Sequence, residues 1–195
     1  MLLPFFNKSV IEAGLDEAGR GCLAGPVVAA AVILPENYDN ELLNDSKQLK
    51  KEERNTLAEA IKIDALAYSI GLCSPTEIDE INILWASVKA MHKAVDVLSV
   101  KPEHLLVDGN KFKPYLGIPH TCIIKGDGKY QSIAAASILA KTYRDELMEK
   151  YALEYPGYGW EHNAGYPTIK HRNAIVSQGI TVLHRKTFRL FKNQS

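Results

Sequence analysis

The longest apolar run in the chain, Val27 to Leu34, is eight residues long and lies between Pro26 and Pro35. That is far short of the roughly 20 residues needed to cross a bilayer, so the run predicts a strand and no membrane span. A second short apolar-rich segment, Val10 to Asp16, precedes it across Gly19-Arg20-Gly21. The pair reads as two strands joined by a glycine-rich connection.

Downstream, strand and helix signals alternate. Lys51 to Ile63 has a helical pattern, and Ala65 to Cys73 is β-like. Ser74-Pro75-Thr76-Glu77 then forms a capping box, with Ser74 as N-cap, Pro75 at the first helical position and Glu77 three residues on. Behind it, Leu84, Val88, Met91, Val95 and Leu98 make one apolar stripe at three-and-four spacing. Leu105-Leu106-Val107 predicts a buried strand closing at Asp108-Gly109-Asn110, and Thr121 to Ile124 another closing at Lys125-Gly126-Asp127-Gly128. Ser132 to about Lys150, Ala-rich and carrying Leu139, Tyr143 and Leu147, predicts a helix. The order implies an α/β fold with a mixed sheet, with helices added after Tyr155. No repeat, low-complexity stretch or linker divides the 195 residues, which are expected to form a single domain.

Composition and charge narrow the function classes. With 46% hydrophobic and 24% charged residues, the chain has globular composition. Cys22, Cys73 and Cys122 are odd in number and widely spaced, which favours small buried hydrophobes over disulfides or a zinc site. Met1-Leu-Leu-Pro-Phe-Phe-Asn-Lys-Ser has neither a basic region before its apolar residues nor a small-residue cleavage site, so a cytoplasmic location is expected. The formal net charge is zero, but residues 156–195 hold six Lys+Arg against one acidic residue, a net of +5, leaving −5 on residues 1–155. A basic tail with Tyr158, Trp160, Tyr166, Phe188 and Phe191 either faces a polyanion or is the solvated side of a C-terminal helix.

The candidate chemistry follows the carboxylates. Asp16 and Glu17 close the first strand, Asp108 closes another, and Asp127 lies just past a third. If those strands are neighbours, the acids converge on one end of the sheet. Each Asp beside a glycine is also an ordinary turn former. The Asp16-Glu17 pair is the more informative, because uncompensated charge in a buried strand is costly. Oxygen-only donors favour hard ions such as Mg²⁺ or Mn²⁺, and two such ions about 4 Å apart suit phosphodiester hydrolysis. Alternation places neighbouring strand residues on opposite faces, so Asp16 and Glu17 share a site only where the strand ends or bulges.

Gly14-Leu15-Asp16-Glu17-Ala18-Gly19-Arg20-Gly21 with Leu23 to Ala31 resembles the opening of the ribonuclease HII family. So do Asp45-Ser46-Lys47, Val107-Asp108-Gly109-Asn110, Lys125-Gly126-Asp127, Ala134 to Lys141 with Arg144-Asp145, Gly165-Tyr166-Pro167-Thr168 with His171, and His184-Arg185-Lys186-Thr187-Phe188. The match is ordered and covers nearly the whole chain; Thr187 stands where serine is usual, and Lys111 where arginine is frequent. The resemblance implies a ribonuclease H-like mixed β-sheet flanked by helices, with a basic helical C-terminal extension over about residues 156–195. It implies cleavage of RNA in RNA/DNA hybrids and at ribonucleotides within duplex DNA, giving 5′-phosphate and 3′-hydroxyl ends, by a protein expected to be monomeric. By the same resemblance, Asp16, Glu17, Asp108 and Asp127 hold two Mn²⁺ or Mg²⁺ ions. Gly19, Arg20 and Gly21 read the ribonucleotide 2′-hydroxyl with Tyr166, and Lys47, with Lys141 and Arg144, contacts phosphates.

Residue by residue, plainer readings stand beside these. Arg20 can neutralise a phosphate or form a surface ion pair; Tyr166 can stack on a sugar or sit in a core. Lys141, Arg144 and Asp145 fall at i, i+3 and i+4, so an intrahelical pair explains Arg144 and Asp145 equally well. His162, His171 and His184 are spaced unlike zinc ligands and read as structural or phosphate-contacting. A different nuclease of the same fold would need the acids but not Gly19-Arg20-Gly21 with Tyr166. A non-catalytic nucleic-acid-binding module would need the basic tail alone.

Overall fold

A computed structural model describes residues 2–44 and 49–191 of the chain; the Asp45-Ser46-Lys47 motif, and with it the phosphate contact expected of Lys47, lies outside them. Five strands form one mixed sheet: β1 (Glu12–Ala18), β2 (Val27–Ile33), β3 (Ala67–Cys73), β4 (His104–Asp108) and β5 (His120–Ile123). Their spatial order is β3-β2-β1-β4-β5. The first three strands pair antiparallel, whereas β1, β4 and β5 run parallel to one another. Every residue of β2 is buried, as a continuous apolar strand covered on both faces should be.

Among the described residues, six α-helices accompany the sheet: α1 (Glu41–Asn44), α2 (Lys51–Asp64), α3 (Pro75–Asp96), α4 (Gln131–Glu154), α5 (Trp160–Asn163) and α6 (Ile169–Gln178). One core packs α3 against Ala13, Leu15, Ala29, Ala31, Leu105 and Val107. A second packs α2 and α4 against Ala30 and Val32 on the other face. Glycine sets the distance between layers. A Cβ on Gly14 of β1 would lie 2.2 Å from the Ser132 carbonyl carbon of α4, and one on Gly71 of β3 would lie 2.2 Å from the Ala90 oxygen of α3.

The capping box forms as expected: Ser74 Oγ accepts from the Glu77 N–H at 3.2 Å, and Glu77 Oε2 accepts from the Ser74 N–H at 3.0 Å. The helix behind it is not one straight rod. Asn82, at φ 63°, breaks it, and its side-chain oxygen accepts from the N–H groups of Leu84 and Trp85, capping a second segment. The helix expected from Ser132 to about Lys150 is α4, and its N-terminal half is buried at most positions. Leu139 is buried, but Tyr143 is 41% exposed, and the inward line continues through Ala140, Arg144 and Met148. Arg144 is only 1% exposed, so it contacts no phosphate at the surface, and its neighbour Asp145 pairs instead with Lys141 and Arg54.

The C-terminal extension folds over the end of α4, where Tyr158, Trp160, Ile175 and Leu190 join Leu23, Ala24 and Met148 in a third core. Its histidines are internal: His171 and His184 are 0% and 1% exposed. His171 Nδ1 donates to the Tyr166 carbonyl at 2.9 Å, which leaves Nε2 to accept from Trp160 Nε1 at 2.9 Å. His184 Nδ1 accepts from the Thr181 N–H at 2.9 Å, so its Nε2–H faces His171 Nε2 at 3.2 Å. Both rings are therefore held neutral. His162 stays outside, beside Glu161.

Burial, reinforced by His171, lowers His184 to about 4, against about 6.5 for an unperturbed histidine. Between those values the unfolded chain binds the proton and the folded one does not. This contribution to stability is therefore complete above about pH 6.5 and is lost as pH falls toward 4. Thermal melts across that window are expected to show a shallower pH slope for His184→Gln than for the wild type; equal slopes would exclude the assignment.

Candidate active site

The parallel register of β1 and β4 pairs Leu15 with Val107, which brings Asp16 beside Asp108 at the carboxyl ends of adjacent strands. Leu15 and Val107 both face α3, so by alternation Asp16 and Asp108 share the opposite face. Asp16 is 6% exposed. Its Oδ1 accepts from the Glu17 N–H at 2.7 Å, and the Ser137 hydroxyl of α4 bonds to the same carboxyl. Asp108 Oδ1 accepts from the Gly126 N–H at 2.6 Å. That bond ties the end of β4 to the 3₁₀ turn Gly126–Gly128, which carries the half-buried Asp127.

Glu17 is placed differently. The β1–β2 register runs without a bulge through Ala18, so Glu17 points to the face opposite Asp16. It still lies within electrostatic reach, because the strand ends one residue later. Burial raises Asp16 well above the ordinary carboxylate value, and Glu17 and Asp108 add to it. Burial also raises Glu17, with Arg20 opposing and Asp108 adding. For Asp108, burial raises the carboxyl, the Gly126 N–H opposes, and Asp127 adds. Asp16, Glu17 and Asp108 therefore act on one another electrostatically, and Asp127 acts on Asp108.

Among the described residues, no three His, Cys, Asp or Glu side chains are closed around a single point. What the strand ends offer is a row of carboxylate oxygens with mutual repulsion, a donor set that fits a hard divalent cation and not zinc. Arg20 meets part of that demand, since its Nη1 donates to Glu17 Oε1 at 3.0 Å while its side chain remains 51% exposed.

Beside the acids lies the loop from Gly19 to Pro26. Gly19 is buried at φ 93°, and a Cβ there would lie 2.0 Å from Arg144 Nε. Arg20 and Gly21 are exposed. Leu23 donates its N–H to the Gly165 carbonyl at 2.8 Å, joining this loop to the segment bearing Tyr166. Tyr166 is 40% exposed and reaches the buried Cys22 thiol through its side chain. The Lys141 ammonium lies 5.7 Å from its ring centroid, and the ring borders a cleft of about 250 Å³ also lined by Lys51, Arg54 and Asp145.

Sequence reasoning missed the inward role of Arg144 and Arg185. The signal for Arg144 was present, since Ala136, Ala140, Arg144 and Met148 repeat every four residues along α4 and all are buried. Nothing comparable marks Arg185. The +5 tail is correspondingly less available to a polyanion: Arg185 is fully buried, and Arg172 Nη1 is bonded to the carbonyls of Arg189 and Leu190.

A family model described as Ribonuclease HII matches residues 13–192. The chain is 65% identical over 190 residues to the ribonuclease HII of Bacteroides fragilis, covering 97% of this chain and 94% of that protein. It is 62% identical over 194 residues to that of Parabacteroides distasonis, covering 100% and 98%. Its fold is similar to the crystal structure of ribonuclease H2 from Pyrococcus horikoshii OT3, with a TM-score of 0.77, 28% identity and coverage of 92% and 94%. Together with the strand-end carboxylates and the loop beside them, these similarities place the chain in the ribonuclease HII family, and it is an endoribonuclease.

Proposed function

We propose that this endoribonuclease, whose family acts on RNA/DNA hybrids, also incises duplex DNA at single embedded ribonucleotides, in a metal-dependent reaction leaving 5′-phosphate and 3′-hydroxyl ends. The observation that carries the reading is the adjacency of two surfaces: the carboxylates at the ends of β1 and β4, and the exposed Arg20-Gly21 loop that follows β1 directly. Gly21 sharpens the point. Its φ is not positive, and a Cβ there would meet nothing within 4 Å, so nothing in the protein demands a glycine. A bare main chain at the surface fits close approach by a ribose, whose 2′-hydroxyl distinguishes RNA from DNA.

Asp16, Glu17, Asp108 and Asp127 are the residues to hold two Mg²⁺ or Mn²⁺ ions. Such ions, when bound, supply the Lewis acidity that makes a water nucleophilic and stabilises the leaving 3′-oxygen. The chain does the positioning. The Glu17 N–H orients Asp16, and the Gly126 N–H orients Asp108, so both carboxylates are aimed by main chain before substrate arrives. Arg20, released from Glu17, can neutralise a phosphate. Tyr166 packs against the sugar beside the junction, with the neighbouring Lys141 adding positive charge. The 2′-hydroxyl is recognised and does not attack.

Three experiments test this. A duplex with one ribonucleotide, incubated with Mn²⁺, is expected to be cut at that site while all-DNA duplex is not, and mass analysis is expected to find 5′-phosphate and 3′-hydroxyl ends; a 2′,3′-cyclic phosphate would refute the mechanism. Asp108→Asn keeps the side-chain volume and removes the charge. It is expected to lose turnover by on the order of 100- to 1,000-fold, the scale of removing one preorganised charge-stabilising group, while relief of repulsion holds or raises the metal-free melting temperature. Near-wild-type cleavage by this variant in Mg²⁺ would reject the site. Tyr166→Ala is expected to slow incision at an isolated ribonucleotide about 100-fold, the effect of roughly 1 Å of misplacement, with much smaller loss of duplex affinity. A large fall in melting temperature together with lost affinity would instead make Tyr166 a core residue.

A further inference from the structure

Arg144 and Arg185 are almost fully excluded from solvent, at 1% and 0% exposure. Among the described residues, neither forms an ion pair with a carboxylate. Their donors go to main-chain oxygens. Arg144 Nε, Nη1 and Nη2 donate to the carbonyls of Pro26 at 3.0 Å, Ala164 at 2.8 Å and Ala24 at 3.0 Å. Arg185 Nε, Nη1 and Nη2 donate to the carbonyls of Gly25 at 3.0 Å, Arg20 at 2.9 Å and Gly19 at 2.7 Å. The Arg185 guanidinium carbon lies 5.0 Å from the Phe188 ring centroid, which supports the fork from one side.

Two buried cations without an ion-pair partner in one protein interior are expensive: each loses its hydration, and the two repel, with Asp79 offsetting part of this at Arg185. Burial, with Arg144 adding, draws Arg185 down to about 10, which still leaves it charged at neutral pH. A core meant only for stability is better served by apolar residues of the same volume. The target of the six bonds is therefore informative. Five of them hold the loop from Gly19 to Pro26, and the sixth, to Ala164, holds the turn two residues before Tyr166. The carbonyls of Gly19 and Arg20 are turned inward by Arg185. Among the described residues, the N–H groups of Arg20 and Gly21 donate to no protein acceptor. Gly19 completes the fit, since any Cβ would overlap Arg144.

We infer that Arg144 and Arg185 are positioning residues for ribonucleotide selection, their planar forks fixing the Gly19–Gly21 main chain and the Tyr166 segment relative to each other and to the strand-end carboxylates. The inference rests on the proposed reading of Gly19–Gly21 and Tyr166 as the ribonucleotide-recognising surface. Lysine keeps the charge but cannot span three diverging carbonyls with a planar fork. Its substitution should loosen the loop without touching the carboxylates.

The test compares wild type, Arg185→Lys and Arg144→Lys in Mn²⁺ on two substrates, a long RNA/DNA hybrid and a DNA duplex with one ribonucleotide, separating kcat from KM and measuring each melting temperature. In a long hybrid every register offers a 2′-hydroxyl, whereas the isolated ribonucleotide must be found by the loop alone. The lysine variants are expected to melt cooperatively, to keep KM for both duplexes within a few-fold, and to lose kcat on the single ribonucleotide at least tenfold more than on the hybrid. Loss of kcat in equal proportion on both substrates, or a rise in KM alone, overturns the inference, as does failure of both lysine variants to melt cooperatively, which would assign the pair to folding. If the wild type itself does not prefer the ribonucleotide-containing duplex over all-DNA, the underlying recognition reading falls instead, so the two failures are distinguishable.

Discussion

Parallel pairing between β1 and β4 is the contact on which the rest of the site depends. Residues 19–103 separate the two strands in the chain and contain β2, β3 and the helices α1, α2 and α3. Their register sets Asp16 beside Asp108. A shift of one residue would turn one of the two carboxylates to the other face and disperse the acidic group. That register is held by burial on both sides, with Ala13, Leu15, Leu105 and Val107 facing α3 while Gly14 admits α4 to van der Waals contact. The core thus does more than stabilise the sheet, because it fixes which oxygens meet at its end.

A few of the charges in this molecule sit where burial makes them costly. On one side are carboxylates raised above their ordinary values by desolvation and mutual repulsion. On the other are two guanidiniums satisfied by carbonyls alone. Between them the chain from Asp16 to Pro26 serves both, supplying acids from its strand portion and carbonyl oxygens from its loop. Arg20 links the two halves as the exposed cation already bonded to Glu17.

Much of this was legible in the sequence. Strand ends next to Asp and Gly, the Ser74 capping box and the apolar run at Val27 were all local signals, governed by backbone hydrogen bonding and side-chain periodicity within a few residues. The same locality explains the errors. Asn82 was read as part of one helix, though an Asn before Ile-Leu-Trp can cap a new segment. Arg144 reads in the sequence as a phosphate contact or an ion-pair partner, because local spacing does not say which neighbours will arrive to cover that face of α4.

The sequence by itself determined the element order, the α/β class, the acidic strand ends and the ordered motifs of the ribonuclease HII family, because each depends on residues near one another in the chain. Only the tertiary structure decided that Asp16 and Asp108 share a face, since that is a matter of register between distant strands. Only it turned Arg144 and Arg185 from presumed surface cations into the internal clamps of the Gly19–Pro26 loop. An arginine looks the same in sequence whether it meets a phosphate or a carbonyl, and the difference lies in the acceptors that folding brings to it, five of the six from 118 to 166 residues away.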